Sequence, residues 1–168
     1  AKFILVAAQT PCPCGFETDP DRNCTCTPQQ LLKYKKKISG PIIDRIDLHV
    51  EVPRLEFEKL NREISGEDSA TVKKRVEKAR QRQKLRFRHM HLVTNAEMGS
   101  ETVKKFCPLD RAGKKAIQEA VETRHLSTRA YFRVLKVART IADLADEDNV
   151  RAEHINEAIM FMPKAENK

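Results

Sequence analysis

The stretch STRAYFRVLKVARTIADLADE, residues 127–147, has the clearest helical pattern in the chain. Its apolar residues recur every three or four positions, which places them on one face of a helix. The residues expected to face inward are Ala130, Val134, Val137, Ala138, Ile141 and Ala145. An apolar face of this width must be covered by other helices, so the stretch predicts a helical bundle.

Three neighbouring segments, residues 67–89, 109–125 and 151–162, also have helical character. Asp110 is expected to cap the second of them, and the first carries only a narrow apolar stripe. The inward residues expected in the three segments are Val72, Val76, Ala79 and Phe87; Ala116, Ile117, Ala120 and Val121; and Ile155, Ala158, Ile159 and Met162. We therefore predict an all-α domain over residues 67–168.

The first 58 residues have a different pattern. The apolar run FILVAA, residues 3–8, is typical of a strand buried on both faces, and the alternating IDLHVEV, residues 46–52, predicts a second strand. Strand, helix and strand within about 50 residues fit a crossover between parallel strands. We predict an α/β fragment of a parallel sheet over residues 1–58. A buried strand that begins at residue 3 also leads us to expect that the chain is a piece of a longer protein.

A helix start separates the two predicted strands. Thr27 is in the N-cap position, Pro28 in the first helical position, and Gln30 completes a capping box. The helix is expected to end near the SGP at residues 39–41. A linker near residues 55–66 is expected to join the α/β fragment to the helical domain.

Composition excludes a membrane protein. The 168 residues are 40% hydrophobic, enough for a core, but no apolar run approaches the roughly 18 residues of a membrane span. The N-terminal residues are too short and wrongly flanked for a secretory signal. We therefore expect a soluble, cytoplasmic protein.

The net charge of +8 is concentrated in one segment. Between Lys73 and Arg88 there are nine basic residues and one acid, Glu77, so the rest of the chain is neutral. The run is either a solvated helix face or a nucleic-acid-binding surface, for which the candidates are Lys73, Lys74, Arg80, Lys84 and Arg88. Because Phe87 is the one aromatic residue nearby, any binding should be directed to the backbone, independent of sequence and sensitive to salt.

Four of the five cysteines lie in residues 12–26 as C-x-C, nine residues, and a second C-x-C: Cys12, Cys14, Cys24 and Cys26. In a reducing compartment such a cluster favours metal over disulfides, and four thiolates are a structural zinc set. C-x-C is tighter than the usual finger spacing, so free thiols and disulfides remain alternatives.

Cys107 is expected to be a half-buried thiol outside any site. The histidines share no ligand spacing and are expected to be structural; they are His49, His89, His91, His125 and His154.

Three separated blocks carry a family resemblance: LVAAQTPCPCG at 5–15, KISGPIIDRIDLHVEVP at 37–53 and LSTRAYFRVLKVARTIADL at 126–144. In this order they resemble the Mg chelatase-like ATPases of the competence protein ComM type, which are ring-forming AAA+ motors. The resemblance covers nearly the whole chain and identifies it as the C-terminal part of such a protein. The family also carries CPCG followed by a second close cysteine pair.

The resemblance implies roles for three residues. Arg45 would be the arginine finger and Arg129 the sensor 2 arginine, while Thr10 stands at the sensor 1 position, where the family usually has asparagine. The helical domain would be the lid. An arginine supplied by a neighbouring subunit neutralises the charge that develops on the γ-phosphate during hydrolysis.

The resemblance also implies cofactors and partners. The full-length parent would bind ATP and Mg²⁺, join this part to its own N-terminal AAA+ portion, and form a homo-oligomeric ring, expected to be a hexamer. In competence-type members the ring remodels DNA by branch migration during natural transformation. The chain contains no G-x-x-x-x-G-K-[ST] motif, so it should not hydrolyse ATP alone. The alternatives are a magnesium chelatase motor subunit and a stand-alone zinc-stabilised nucleic-acid-binding module.

Overall fold

A computed structural model of the chain describes residues 3–37, 40–53 and 66–163. Within those ranges the regular elements are helices, and one isolated parallel bridge joins Leu109 to Val150. The helices are α1 (Pro28–Lys37), α2 (Gly40–Ile43), α3 (Ser69–Arg86), α4 (Ser100–Phe106), α5 (Arg111–Arg124), α6 (Thr128–Leu144) and α7 (Ala152–Met160). A 3-10 turn, Asn95–Glu97, lies between α3 and α4.

The chain divides into two compact units. The N-terminal unit comprises Ala1–Ile46 and Glu51–Ile64, and the C-terminal unit comprises Asp47–Val50 and Ser65–Lys168. The C-terminal unit is the predicted helical bundle. In the part of the chain that the structure describes, no helix combines the length and the apolar composition needed to cross a bilayer.

Helix α6 is the centre of the bundle, with α3, α4 and α7 packed against it and α5 packed against α7. Most of its predicted inward face is confirmed, since Ala130, Val134 and Ala138 are buried. Ala145 is exposed, because α6 ends at Leu144 and the chain turns there. The main core residues are Phe87, Met98, Val103, Cys107, Ile117, Ala120, Val134, Leu135, Ala138, Ala142, Val150, Ile155, Ala158, Ile159 and Met162.

The predicted helix starts are confirmed at atomic level. Asp110 accepts a hydrogen bond from Gly113 N at 2.7 Å and caps α5. At α1, Thr27 N donates to Gln30 Oε1 at 2.8 Å and Gln30 N donates to Thr27 Oγ1 at 3.3 Å, which is a reciprocal capping box. Each cap depends on residues within one turn, so it can be predicted from sequence.

The apolar stripe of α3 is only half buried. Ala79 and Phe87 are in the core, but Val72 and Val76 are exposed, contrary to the prediction. The first turns of α3 extend beyond the helices that cover its second half, and every residue from Ser69 to Lys78 is exposed. The periodicity identified the inward face of α3 correctly. It could not show how far along α3 the other helices cover that face.

The two predicted strands are not formed in the described residues. Residues 3–8 and 46–52 have no ladder of hydrogen bonds, and Ile4 and Val6 are 92% and 89% exposed. A strand is stabilised by pairing with a neighbour, and neither segment pairs with the other. The sheet fragment predicted over residues 1–58 is therefore not seen, whereas the all-α part is.

Candidate functional site

The four clustered cysteines converge in the N-terminal unit. Their Sγ atoms all lie within 4.8 Å of one another. The Sγ of Cys12 is 3.3 Å from that of Cys14 and 3.8 Å from that of Cys24, and the Cys14 and Cys24 sulfurs are 3.6 Å apart. A Zn–S bond of about 2.3 Å in a tetrahedral site places ligand sulfurs about 3.8 Å apart. The four thiols therefore fit a zinc ion, and no disulfide joins them.

Local contacts hold this loop in place. Gly15 has a φ of 83° and donates its N–H to Cys12 O at 3.0 Å, which closes a turn that a residue with a side chain would strain. Helix α1 supports the loop through Tyr34, whose hydroxyl donates to Thr10 O at 3.0 Å. Thr10 Oγ1 in turn donates to Cys12 O at 3.1 Å. The sequence from Thr10 to Tyr34 thus forms one connected support for the thiols.

Two thiols of the cluster, those of Cys14 and Cys26, have very different pKa values. Backbone hydrogen bonds at Phe16 and Thr25 lower the pKa of Cys14 to about 5, so it is a thiolate at neutral pH. Burial, together with hydrogen bonding to the neighbouring sulfurs of Cys14, Cys24 and Cys12, raises the pKa of Cys26 to about 12. The Cys14 thiolate can start metal capture, after which the cation favours the thiolate form of its other ligands.

Cys107 lies in the core of the C-terminal unit and is not part of this cluster. It is buried, and not half-buried as predicted, because α4 ends there against α6. Its thiol donates to Leu135 O at 3.7 Å. Burial raises the pKa of Cys107 to about 11, so the thiol stays protonated and unreactive at neutral pH.

Arg45 follows α2 in a turn that its own N–H closes on Ile42 O at 2.9 Å. Its side chain is exposed, and Nη1 donates to Pro41 O at 2.6 Å. Within residues 3–37, 40–53 and 66–163 the guanidinium forms no ion pair, so neither of the nearby acids Asp44 and Asp47 neutralises it. Four of the five guanidinium N–H groups remain available to an anion.

The side chains of Arg129 and Thr10 differ in the hydrogen bonds that they already form. Arg129 is in the first turn of α6 and is exposed. Its side chain forms no hydrogen bond or ion pair with another residue in the described ranges. Thr10 is exposed as well, but its hydroxyl contacts Cys12 O and the Tyr34 hydroxyl. Thr10 and Arg45 belong to the N-terminal unit and Arg129 to the C-terminal unit.

Four of the nine basic residues between Lys73 and Arg88 are neutralised by acidic residues. Arg75 pairs with Glu67 at 2.9 Å, and Lys78 pairs with Asp146 at 2.6 Å. The contact with Lys78 is the largest cause that lowers the pKa of Asp146. The other two paired residues and their partners are Arg82 with Asp146 and Asp148, and Arg86 with Asp143.

The remaining five basic residues are the predicted nucleic-acid set: Lys73, Lys74, Arg80, Lys84 and Arg88. All five are exposed. Lys73 has one weak contact, 3.8 Å from Glu77, and in the part of the chain that the structure describes the other four have no ion pair. The structure therefore separates the basic run into paired cations and cations that face solvent.

A buried charged cluster was missed at the sequence level. Asp143 is fully buried and accepts hydrogen bonds from Arg86 Nη1 at 2.7 Å and Asn95 Nδ2 at 2.8 Å. Arg139 lies 3.1 Å from the other carboxylate oxygen and is only 1% exposed. Burial lowers the pKa of Arg139, and the nearby carboxylate of Asp143 opposes that effect. The spacing of Lys78, Arg82 and Arg86 on one helix face was the available signal.

Replacing Asp143 with alanine is expected to destabilise the C-terminal unit by about 3 kcal/mol or more, because the buried guanidinium of Arg139 and the largely buried one of Arg86 lose their counter-charge. Urea unfolding followed by circular dichroism measures this. Asp148 is the matched control, since its side chain is 92% exposed and its pairing with Arg82 is at the surface. Asp148→Ala should cost less than about 1 kcal/mol. Equal losses in the two variants would contradict the importance of the buried cluster.

Sequence comparisons agree with this architecture. Residues 66–162 match the family profile of the magnesium chelatase subunit ChlI C-terminal region, and residues 1–60 match that of magnesium chelatase subunit ChlI. The chain belongs to the magnesium chelatase ChlI family. The C-terminal match covers the whole bundle from α3 to α7, so the helical unit is the family's C-terminal region.

Individual relatives in this family are longer than the chain. It is 39% identical over 163 residues to the uncharacterized protein YifB of Salmonella typhimurium and to that of Escherichia coli. It is also 39% identical over 162 residues to the competence protein ComM of Haemophilus influenzae. Each alignment covers 96% of the chain but 31% of the relative. The chain therefore spans about a third of the length of these relatives.

Proposed function

We propose that the chain is the C-terminal part of an AAA+ ATPase of the ChlI family, in which Arg45 acts on ATP bound by a neighbouring subunit. In this proposal residues 1–58 complete the nucleotide-binding domain and residues 67–168 form the lid. Arg129 is the sensor 2 residue, and Thr10 stands at the sensor 1 position. The full-length protein binds ATP and Mg²⁺ and assembles into a ring of identical subunits, which we expect to be a hexamer in the cytoplasm.

The observation that carries the proposal is the environment of Arg45. An arginine beside Asp44 and Asp47 would ordinarily be expected to form a surface ion pair. Its guanidinium instead contacts one neutral carbonyl, that of Pro41, and remains exposed. Such a group can approach a phosphate without first breaking an ion pair. An arginine finger has to approach a phosphate in this way.

Mixing two inactive variants of the full-length protein tests this proposal. One variant carries Arg45→Ala, and the other has its P-loop lysine replaced by alanine. If Arg45 acts across a subunit boundary, some interfaces in mixed rings contain an intact P-loop and an intact arginine. ATP turnover by the mixture should then exceed the sum of the two separate activities several-fold. Turnover equal to that sum, in rings shown to exchange subunits, would contradict action across the boundary.

We further propose that Cys12, Cys14, Cys24 and Cys26 hold a structural Zn²⁺. The support is the donor set and its separations, together with the absence of buried side chains other than Cys12 in the described part of the N-terminal unit. A four-thiolate site has no open position for a substrate, so its role would be to hold the loop folded. It would also fix Thr10, which is bonded to Cys12 O.

For the motor's substrate we propose DNA, whose remodelling would be driven by ATP hydrolysis, as branch migration in natural transformation. The support is the set of five solvent-facing basic residues on and beside α3, together with the relative that is named a competence protein. A second candidate is a magnesium chelatase motor subunit, favoured by the name of the matching family. Stimulation of ATP turnover by DNA would favour the first, and support of Mg²⁺ insertion into a porphyrin the second.

A further inference from the structure

Three of the solvent-facing cations of α3 are arranged in a line. With 100° between successive residues of a helix, Lys73, Arg80 and Lys84 lie within about 40° of one another, and they span about 16 Å along the axis. Lys74 lies about 100° to the side of Lys73, and Arg88 follows the C-terminal end of the helix. The line therefore runs along the outer face of α3 toward its C-terminal end.

A contact between aromatic rings brings a further cation to that end. Phe87, the residue after α3, packs edge to face against Phe106, the last residue of α4, with ring centroids 5.6 Å apart. Arg88 and Lys105 are each one residue away from this contact. Both are exposed, and Lys105 lies over the Phe106 ring with its Nζ 5.4 Å from the centroid. Arg88 and Lys105 therefore flank one contact between the C-terminal ends of α3 and α4.

The lysine next to Lys105 does not contribute in the same way. Lys104 Nζ lies 3.1 Å from Glu101 Oε1, so its charge is already paired. Lys105 has no ion pair in the ranges that the structure describes. Two adjacent lysines of one helical turn therefore differ in the availability of their charge.

The same aromatic contact decides which form of nucleic acid suits this surface. Proteins that bind single strands stack bases on exposed aromatic rings. Phe87 is 2% exposed, and Phe106 is half-buried with the Lys105 ammonium over its ring, so neither of these two aromatic rings beside the cations is open for stacking a base. A duplex offers a higher density of phosphates and requires no stacking.

We propose that Lys73, Lys74, Arg80, Lys84, Arg88 and Lys105 form one phosphate-binding track for duplex DNA, to which Lys105 of α4 contributes as fully as the cations of α3. This rests on the proposed role of the α3 cations in DNA binding. The ion-paired residues Arg75, Lys78, Arg82, Arg86 and Lys104 take no part. Binding through the track is independent of base sequence.

Salt-dependent titration of the 168-residue chain with fluorescent 30-base-pair duplexes of two unrelated sequences tests the track. Six phosphate contacts predict a slope of about −5 for log K against log salt, equal for both sequences. Lys105→Gln should reduce the magnitude of that slope by about 1, as should Lys84→Gln. The matched controls Lys104→Gln and Lys78→Gln should leave it unchanged.

The outcomes separate the inference from the proposed function. If Lys84→Gln changes the slope and Lys105→Gln does not, the extension onto α4 is wrong while DNA binding by α3 stands. If neither lysine affects affinity, the DNA-binding surface itself is wrong. A single strand of the same length that binds more tightly than the duplex would overturn the preference for duplex. Circular dichroism of each variant without denaturant checks that a smaller slope of log K against log salt does not result from unfolding.

Discussion

Replacing Arg45 with alanine in the full-length protein is expected to lower kcat for ATP hydrolysis about 1,000-fold or more, the range measured for arginine fingers. The guanidinium is exposed and ion-paired to no acid in the described part of the chain, so its removal leaves no unpaired carboxylate. Folding should therefore be nearly unaffected. Because the charge on the γ-phosphate grows toward the transition state, KM for ATP should change much less than kcat.

Two further variants make the Arg45 measurement specific. Arg45→Lys keeps the positive charge but loses the planar fork of donors, and it should recover only part of the rate. Arg111→Ala removes another exposed arginine, at the start of α5, to which no role is assigned. It should leave kcat unchanged. A kcat within tenfold of wild type for Arg45→Ala, in assembled rings, would refute the arginine finger.

The features that sequence predicted well are those determined by nearby residues. The Thr27–Gln30 capping box and the Asp110 cap are each completed within one turn. The inward face of α6 follows from its own periodicity. Because local backbone geometry brings these groups together, no knowledge of the rest of the fold was needed.

The features that sequence predicted poorly depend on distant partners. Residues 3–8 have the composition of a buried strand, but a strand is stabilised by its neighbours, and residues 3–8 pair with none in the described structure. The cover of Val72 and Val76 depends in the same way on where other helices end. Helix α4 was not predicted, since its seven residues are too few to show a clear period.

The same distinction between nearby and distant partners applies to the two candidate sites, the cysteine cluster and the basic run. Convergence of the thiols could be predicted because both C-x-C pairs lie within 15 residues. For the basic run, sequence could not show which charges are neutralised, since Lys78 pairs with Asp146, 68 positions away. Arg86 and Asp143 are 57 positions apart. Apart from Arg75, which pairs with the nearby Glu67, the paired cations are distinguished from the unpaired ones by the packing of α3 against α6 and the turn that follows α6.

The cysteine loop is where removal of a ligand is expected to have the largest effect on folding. Cys12 is fully buried, and among the described residues of the N-terminal unit it is the one buried side chain. The loop therefore has almost no apolar core to stabilise it. In small zinc-stabilised folds the apparent binding free energy of the ion is on the order of 10 kcal/mol, and it supplies the folding free energy.

We accordingly expect the chain, purified without chelator, to contain about one zinc per molecule by elemental analysis. Cys12→Ala should lose the metal and make residues 12–26 sensitive to proteolysis, while the C-terminal unit stays folded. Cys107→Ala is the matched control, because it removes a buried thiol that lies outside the cluster and should keep the full zinc content. Less than a tenth of an equivalent of zinc in the wild type would refute the site. Full zinc content in Cys12→Ala would refute Cys12 as a ligand, since a closed structural site depends on all four of its thiolates.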